Sequence, residues 1–270
     1  MKRTPTKEQE HITMSQAIAD HEVAENVFLF TGTSVNWIIL RDGKDLTLID
    51  AGWEGDAPEV ERTIRLLGRP EDVHAVLLTH AHSDHTGALE LLHETYGVPV
   101  WMSPAEVPNA TGEHVEQAGT ADVVRMMYRP QAIRWAVDMV KVGGLKQITT
   151  PSAESFPEEG PLELPGRPVP IATPGHTDGH TSYHLPSVGG VVTGDALVSG
   201  HPTLKGLGPR LLPGGFTHDA EQAVQSLRVL RDIDARMFLP GHGPVWYGSL
   251  KESVDEALAH VDDRNTGLDG

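Results

Sequence analysis

The sequence contains no cysteine, and this absence limits both how the chain is stabilised and what it can bind. Disulfide bonds and thiolate metal ligands are excluded, so any metal ion must be held by histidine and carboxylate side chains. Long apolar runs are also missing, since no stretch approaches the length that crosses a bilayer. Residues 1–5 are basic but no apolar stretch follows them, unlike a secretory signal. We therefore expect a cytoplasmic protein without a membrane partner.

Basic residues are scarce beside acidic ones, with 21 Lys and Arg against 38 Asp and Glu, which gives a formal net charge of −17. Such a surface repels phosphate backbones, and no Lys or Arg cluster indicates a local groove for nucleic acid. We therefore expect no nucleic-acid partner. The 270 residues suit one large domain, and the balance of 39% apolar to 22% charged residues is typical of a globular protein.

Three histidines and an aspartate fall within six residues, in the segment THAHSDHTG at 79–87. The preceding run at 74–79 is short and apolar, which predicts a buried strand, and residues 88–94 predict a helix. The cluster is therefore expected on a tight loop at the C-terminal end of a strand. Imidazole nitrogens and carboxylate oxygens on a rigid turn suit a metal ion such as zinc, the alternative being a histidine-rich surface loop.

The spacing His-x-His-x-Asp-His resembles the signature of the metallo-β-lactamase superfamily, and four further motifs of that family follow its order. They are LIDAG at 48–52, PGHT at 174–177, TGD at 193–195 and PGHG at 240–243. The resemblance extends over roughly residues 23–247 and is to the dinuclear branch that contains glyoxalase II and the acyl-homoserine lactonases. It implies an α/β fold, an αββα sandwich of two facing mixed β-sheets with outer helices and metals at one edge.

By this resemblance, seven side chains divide between two divalent metal ions, expected to be Zn²⁺ with Fe or Mn as alternatives. The first ion is expected to be bound by His80, His82 and His176. The second is expected to be bound by Asp84, His85 and His242, and Asp195 is expected to bridge the two ions. Asp84 is also expected to act as the catalytic acid–base, because it can orient the attacking oxygen and accept a proton. Asp50 ends a strand beside the site and is expected to support the ligands without binding metal.

Other histidines lie near these motifs without matching a ligand position. His180 and His184 lie near the third-histidine motif, and His180 either hydrogen-bonds to a ligand or has a structural or surface role. His201 is a candidate for the substrate pocket. Seven others are expected on the surface or in packing: His11, His21, His74, His93, His114, His218 and His260.

Residues 102–150 interrupt the strand rhythm, and we expect a helical insertion there within a single domain that covers residues 1–270. Residues 123–142 have a helical apolar pattern that Pro130 interrupts. Met127 and Trp135 lie in this part, and they either form an apolar wall of a cap over the metal site or pack as ordinary core. The proline-rich segment 151–170 predicts an irregular connector.

The remaining elements follow from apolar periodicity and turn residues. A polar arm with a short helix is expected over residues 1–20. Strands are predicted at 27–30, 35–40, 46–49, 98–101, 168–172, 181–185, 190–193 and 236–239. Helices are predicted at 57–68, 218–232 and 249–262.

The resemblance implies a hydrolase in which a metal-bridging hydroxide attacks the carbonyl of an ester, lactone or thioester, in a small-molecule or acyl-carrier-bound substrate. This chain differs from each of the closely similar subfamilies in one feature. True metallo-β-lactamases have no bridging aspartate, glyoxalase II has a larger helical region than the 28 residues after His242, and the lactonases place a tyrosine where this chain has Val198. An iron-dependent redox enzyme of the same fold, similar to persulfide dioxygenases, and a phosphodiesterase are the alternatives. A homodimer is one option for the oligomeric state, which the sequence leaves open.

Overall fold

Two mixed β-sheets form the centre of the molecule in the computed structural model, which describes residues 18–117, 130–146, 148–157 and 160–266, with only the backbone over 262–266. The first sheet contains, in spatial order, β1 (Glu22–Ala24), β2 (Val27–Thr31), β3 (Asn36–Asp42), β4 (Asp45–Ile49), β5 (Val73–Leu77), β6 (Val100–Met102) and β7 (Ala153–Ser155). Strands β1 to β4 pair antiparallel, and β4 to β7 pair parallel.

The second sheet has five strands in the order β12, β11, β10, β9, β8. Their bounds are β8 (Val169–Ala172), β9 (Thr181–Leu185), β10 (Gly190–Gly194), β11 (Met237–Pro240) and β12 (Trp246–Tyr247). Only β10 and β11 pair parallel. The described helices are α1 (Ala57–Leu67), α2 (Leu89–Tyr96), α3 (Val107–Thr111), α4 (Pro130–Lys141), α5 (Ala220–Arg231) and α6 (Leu250–Thr266).

Alternate side chains of the central strands enter different layers of the core, because successive residues of a strand point to opposite faces. Ile38 packs between the sheets in one cluster with Tyr183 and Leu239. Its neighbour Ile39 packs outward, in the cluster that contains Ile64 of α1 and Leu92 of α2. On the other side, Val191 and Phe238 pack in one cluster with Leu227 of α5 and Val254 of α6. The layers therefore run helix, sheet, sheet, helix, and the predicted αββα sandwich of mixed sheets is confirmed.

Hydrogen bonds join the two sheets at the edge where β5, β10 and β11 end. The backbone N–H of Thr181 donates to the Thr79 carbonyl at 2.8 Å, and the Tyr183 hydroxyl donates to the Leu78 carbonyl. The Asn36 side chain donates to the Pro240 carbonyl at 2.9 Å. This edge is therefore a rigid platform for the loops that follow these strands.

Several elements differ from the sequence-based expectation. Strands β1 and β12 were not predicted, and β7 lies inside the segment 151–170 that was expected to be irregular, so that expectation is wrong at 153–155. Three residues are too few to show a period-2 pattern. Most of the expected arm at 1–20, together with residues 118–129 and therefore Met127, lies outside the described residues.

The described part of helix α4 starts at Pro130, the residue that was expected to interrupt a longer helix. The helix buries Ala132, Trp135, Ala136 and Met139, whereas the apolar side chains of Ile133, Val137 and Val140 are exposed. Across the described residues, no helix combines the length and the apolarity needed to cross a bilayer.

Candidate metal centre

The seven sequence-predicted ligands lie on four loops at the shared edge of the two sheets. The loop after β5 carries four of them, and one each lies after β8, β10 and β11. The structure brings all seven together: His80, His82, Asp84, His85, His176, Asp195 and His242. All are buried except Asp84, whose side chain is 15% exposed. Turns at the carboxyl ends of strands from both sheets therefore build one compact centre.

The first donor group consists of His80, His82 and His176, whose ring nitrogens face one another. His80 Nε2 lies 3.1 Å from His82 Nδ1 and 3.1 Å from His176 Nε2. The distance between His82 Nδ1 and His176 Nε2 is 3.0 Å. Nitrogens on two Zn–N bonds of 2.0–2.1 Å at a tetrahedral angle would be roughly 3.3 Å apart, so these separations are close to those of a zinc ligand set.

Hydrogen bonds on the outer side of the rings determine which nitrogens face the centre as lone pairs. His82 Nε2 donates to the Glu116 carbonyl at 3.0 Å, which leaves Nδ1 unprotonated in the neutral ring. The Thr79 hydroxyl donates to Asp50 and accepts from His80 Nδ1 at 3.0 Å, which leaves His80 Nε2 unprotonated. Two inward lone pairs at this distance repel each other unless a proton or a cation lies between them.

The second donor group consists of Asp84, His85 and His242. Asp84 Oδ2 lies 3.4 Å from His242 Nε2 and 3.8 Å from His85 Nε2. The outer nitrogens are again occupied, because His85 Nδ1 bonds to Asp50 at 2.8 Å and His242 Nδ1 donates to the Ser34 carbonyl. This group thus presents two imidazole nitrogens and a carboxylate to one point.

Asp195 lies between the two groups. Its Oδ2 is 3.4 Å from His176 Nε2 and 3.2 Å from His242 Nε2, while its Oδ1 is 3.7 Å from His85 Nε2. A Cβ atom on Gly241 would lie 2.2 Å from Asp195 Oδ1, so the backbone of the PGHG motif can approach this carboxylate only with glycine there.

Unpaired buried atoms test whether these residues fit a metal. Among the described residues, Nε2 of His85 in the second donor group and Oδ1 of Asp195 between the groups are buried without a hydrogen-bond partner. A buried polar atom left unpaired costs about 1–3 kcal/mol, which a bound cation would offset. Nitrogen and oxygen donors without sulfur suit zinc, iron or manganese. The residues therefore fit divalent cations.

The negative carboxylates of the candidate centre favour a positively charged group between them. Burial opposes protonation of His85, but the carboxylates of Asp50, Asp84 and Asp195 outweigh it and raise the pKa of this ring to about 9. Burial would raise the pKa of Asp195, yet His242 and His85 hold it well below its usual range. A proton or a metal cation supplies the charge that this carboxylate cluster requires.

Asp50 directly follows β4, and its carboxylate contacts candidate ligand positions from behind, as expected from the sequence. Its carboxylate accepts from the Thr79 backbone N–H at 2.9 Å, from the Thr79 hydroxyl and from His85 Nδ1. Its backbone has φ of 63°, a left-handed conformation that costs about 1 kcal/mol or more in a residue other than glycine. The three hydrogen bonds hold the residue in this conformation, so the carboxylate orients two ligand-bearing positions at once.

His180 forms a hydrogen bond with the backbone of Asp195, the candidate bridging residue. Its Nε2 accepts from the Asp195 N–H at 3.1 Å, and its Nδ1 bonds to the Thr173 hydroxyl at 2.8 Å. Burial lowers the pKa of His180 to about 3, so the ring is neutral. The structure therefore shows His180 hydrogen-bonded to the backbone of Asp195, a candidate metal ligand.

Glu106, which sequence reasoning missed, ties two ligand loops together. Its carboxylate is 1% exposed and accepts from the Ala81 N–H at 2.8 Å, the Thr177 hydroxyl at 2.7 Å and the Gly179 N–H at 3.1 Å. Asn109 donates to it as well. Burial raises the pKa of Glu106 despite these bonds. No local pattern marked this residue, because its partners lie far away in the sequence.

A cavity of about 280 Å³ opens above the two donor groups. Its upper walls are mostly apolar, and they include Trp53, Val115, Trp135, Met139, Leu145, Leu212 and Phe216. His201 lines it too, so the structure places this candidate in the pocket, and burial lowers its pKa to about 3. Lys146 is the one cationic lining residue in the described part of the chain, and it pairs with Glu54 at 2.7 Å.

Two facing mixed sheets with a His/Asp centre at one edge define a class of metal-binding αββα proteins. The comparison with known families makes this assignment specific, because the family model of the metallo-beta-lactamase superfamily matches residues 30–242. The chain belongs to the metallo-beta-lactamase superfamily, and the resemblance found in the sequence is confirmed.

Individual relatives agree with this membership. The chain is 28% identical over 250 residues to the probable metallo-hydrolase YflN of Bacillus subtilis, covering 86% of this chain and 89% of the relative. It is 28% identical over 217 residues to the hydroxyacylglutathione hydrolase GloC of Haemophilus influenzae, covering 76% and 84% of the two chains. A metallo-beta-lactamase family protein from Thermus thermophilus has the same fold, with a TM-score of 0.60 and 23% identity over 91% of this chain and 83% of its own.

Proposed function

We propose that this protein is a metal-dependent hydrolase that cleaves an ester, a lactone or a thioester with two divalent ions, of which zinc is the expected metal. The observation that carries this proposal is the pair of three-residue donor groups, joined by Asp195, beneath an apolar cavity. Two relatives bear the names of a probable metallo-hydrolase and a hydroxyacylglutathione hydrolase, which supports hydrolysis as the reaction class.

The two ions would be held by the two donor groups. The first ion would be bound by His80, His82 and His176, and the second by Asp84, His85 and His242. Asp195 would bind both ions. When bound, such ions lower the pKa of a water molecule to about 7 and polarise a carbonyl group. Each ion would then have three protein side chains and the shared Asp195, and water and substrate would bind as further ligands.

Asp84 would act on the proton of the attacking water. It is the one candidate ligand carboxylate with an appreciably exposed side chain, and it lines the cavity. Its Oδ2 faces His242, so Oδ1 is the oxygen free to accept a proton from water. Burial opposes the negative charge of Asp84, but His85 and His242 outweigh it and hold the pKa of this carboxyl below its usual range, so the side chain is ionised at neutral pH and can accept a hydrogen bond from the attacking water.

The segment 102–150 would act as a cap within a single domain over residues 1–270. Helix α4 supplies Trp135 and Met139, which both line the cavity and pack in a cluster with Trp53 and Val35. The described part of the segment would thus form a wall of the pocket. The same side chains also belong to a small hydrophobic cluster. Such a wall suits an apolar acyl group, offered as a small molecule or on an acyl carrier.

Charge in the pocket favours a neutral carbonyl over a phosphodiester. Lys146 already pairs with Glu54, and the whole chain carries a formal charge of −17. Enzymes that act on nucleic acid meet the phosphates with Lys or Arg. Within the described pocket there is no second cation for that purpose, so nucleic acid is disfavoured as a partner.

Metal quantification on the purified protein, followed by a substrate panel, tests the proposal. The panel contains p-nitrophenyl esters of several chain lengths, lactones, thioesters and bis(p-nitrophenyl) phosphate, each assayed with zinc, manganese and iron. We expect two metals per chain and a higher kcat/KM on carbonyl substrates. A preference for the phosphodiester with every metal, or oxygen-dependent oxidation of a persulfide by the iron form, would establish one of the alternative activities instead.

A further inference from the structure

His201 lies on the loop after β10 and borders the candidate metal centre without belonging to a described donor group. Its ring centroid is 4.9 Å from that of His242 and 5.2 Å from that of Trp135. Phe216 packs against it at 5.4 Å. Aromatic rings on two sides and a candidate ligand on a third hold the imidazole in one place at the pocket wall.

Hydrogen bonds fix the protonation of this ring by geometry. The backbone N–H of Thr203 points at His201 Nδ1 at 3.2 Å, and the Thr203 hydroxyl lies 2.6 Å from the same nitrogen. A backbone N–H can only donate, so Nδ1 must be the acceptor and cannot carry a proton. In the neutral imidazole the proton is therefore on Nε2.

Nε2 of His201 is thus a hydrogen-bond donor that has no acceptor among the described residues. It is also absent from the buried atoms that lack a partner, so Nε2 is accessible, and His201 lines the cavity above the donor groups as well as a neighbouring cavity beside Gln131 and Leu207. His201 therefore places an unpaired N–H donor beside the candidate metal centre.

We propose that the Nε2–H of His201 donates a hydrogen bond to the carbonyl oxygen of the substrate and to the oxyanion that forms from it. This inference rests on the proposed function, because it assigns a catalytic residue to the same carbonyl chemistry. As the oxygen of water bonds to the carbonyl carbon and its proton passes to Asp84, the π electron pair of the C=O bond moves onto the carbonyl oxygen. That oxygen gains negative charge and a stronger hydrogen bond, while the proton stays on Nε2.

The surroundings of the ring explain why such a donor would be effective. Trp135, Phe216 and His242 restrict the ring on three sides, and Thr203 anchors Nδ1, so little reorganisation is needed during the reaction. A donor preorganised in a water-poor pocket stabilises developing charge more than one in bulk water. The apolar neighbours also favour substrates whose carbonyl adjoins an apolar group.

Nitrogen-15 NMR on the zinc-loaded protein, labelled at histidine, tests the donor without any substrate. We expect the His201 signals of the Nε2–H tautomer, assigned by their loss in the His201→Gln variant. Signals of the Nδ1–H tautomer or of a doubly protonated ring would overturn the proposal, because the first provides no donor and the second contradicts the bond from Thr203.

Three variants test the catalytic role. His201→Phe keeps an aromatic ring but removes the donor, His201→Gln restores an N–H near the position of Nε2, and His74→Phe is a control on an exposed residue at the start of β5. Loss of one oxyanion donor lowers kcat by about 10²–10³-fold, so we expect that loss in His201→Phe, a partial return of activity in His201→Gln and no loss in the control. Zinc content and melting temperature, measured on all three, separate loss of the donor from loss of metal or fold.

The outcomes distinguish this inference from the function on which it rests. If the wild-type protein cleaves the carbonyl panel and His201→Phe keeps full metal and full kcat, the donor role alone is refuted. If the wild-type protein with two metals cleaves no ester, lactone or thioester, the proposed function is refuted, and the role of His201 with it.

Discussion

A single substitution, Glu106→Gln, measures how strongly the ligand loops depend on one buried carboxylate. Glu106 Oε1 accepts from the Ala81 N–H and from the Asn109 side chain, and Oε2 accepts from the Thr177 hydroxyl and the Gly179 N–H. Glutamine turns one of these oxygens into an NH₂ group. The Thr177 hydroxyl can rotate to accept from it, but the backbone N–H on each side cannot, and the Asn109 oxygen already accepts from the Glu116 N–H. Either orientation of the glutamine therefore leaves one buried backbone N–H facing another donor.

The magnitude follows from these bonds. An unpaired buried N–H costs about 1–3 kcal/mol, and the bonds that survive lose the assistance of the negative charge, so we expect about 3 kcal/mol less free energy of unfolding. The raised pKa of Glu106 shows that burial already opposes the charge, which keeps the expected loss from being larger. For a chain of this size, about 3 kcal/mol lowers the melting temperature by about 6–12 °C.

Thermal unfolding and zinc competition with a chromophoric chelator form the assay. Because Ala81 stands between His80 and His82 and Thr177 follows His176, we expect weaker zinc binding as well as a lower melting temperature. The control is Glu90→Gln, which makes the same change at an exposed position on α2. A melting temperature and a zinc affinity equal to those of the control would refute the reasoning.

Three further predictions concern the metal centre and the pocket. Asp195→Ala should release at least one metal and abolish hydrolysis, because the oxygens of this side chain face both donor groups; two tightly bound metals by elemental analysis would contradict this. Asp50→Asn should weaken metal binding about 10–100-fold in a competition titration, because an amide cannot accept from both Thr79 and His85; unchanged affinity would show that Asp50 supports the backbone alone. Trp135→Ala should change the relative kcat/KM across acyl chain lengths at constant metal content; if only stability falls, Trp135 is ordinary core.

The order of the motifs along the chain gave the candidate ligands because each motif is local. The four candidate ligands after β5 lie on one turn, and the motifs around His176, Asp195 and His242 each place one side chain next to the end of a strand. The αββα architecture came with the family resemblance, since alternating strand and helix signals alone are compatible with several α/β folds. Strands of four or more residues were found close to their expected positions, whereas of those with two or three residues only β6 was expected, because so few residues carry little pattern.

The sequence by itself determined which residue types could bind metal, that sulfur ligands are excluded, and in what order the candidate ligands occur. Only the tertiary structure decided which groups support and surround them. Glu106 bonds to Ala81, 25 residues away, and to Gly179, 73 residues away, and Asp50 reaches His85 across 35 residues. The free Nε2–H of His201 and the inward face of α4 likewise depend on neighbours that fold against them. Hydrogen bonds and packing act over a few ångströms in space and leave no periodic trace along the chain, so only the folded arrangement shows them.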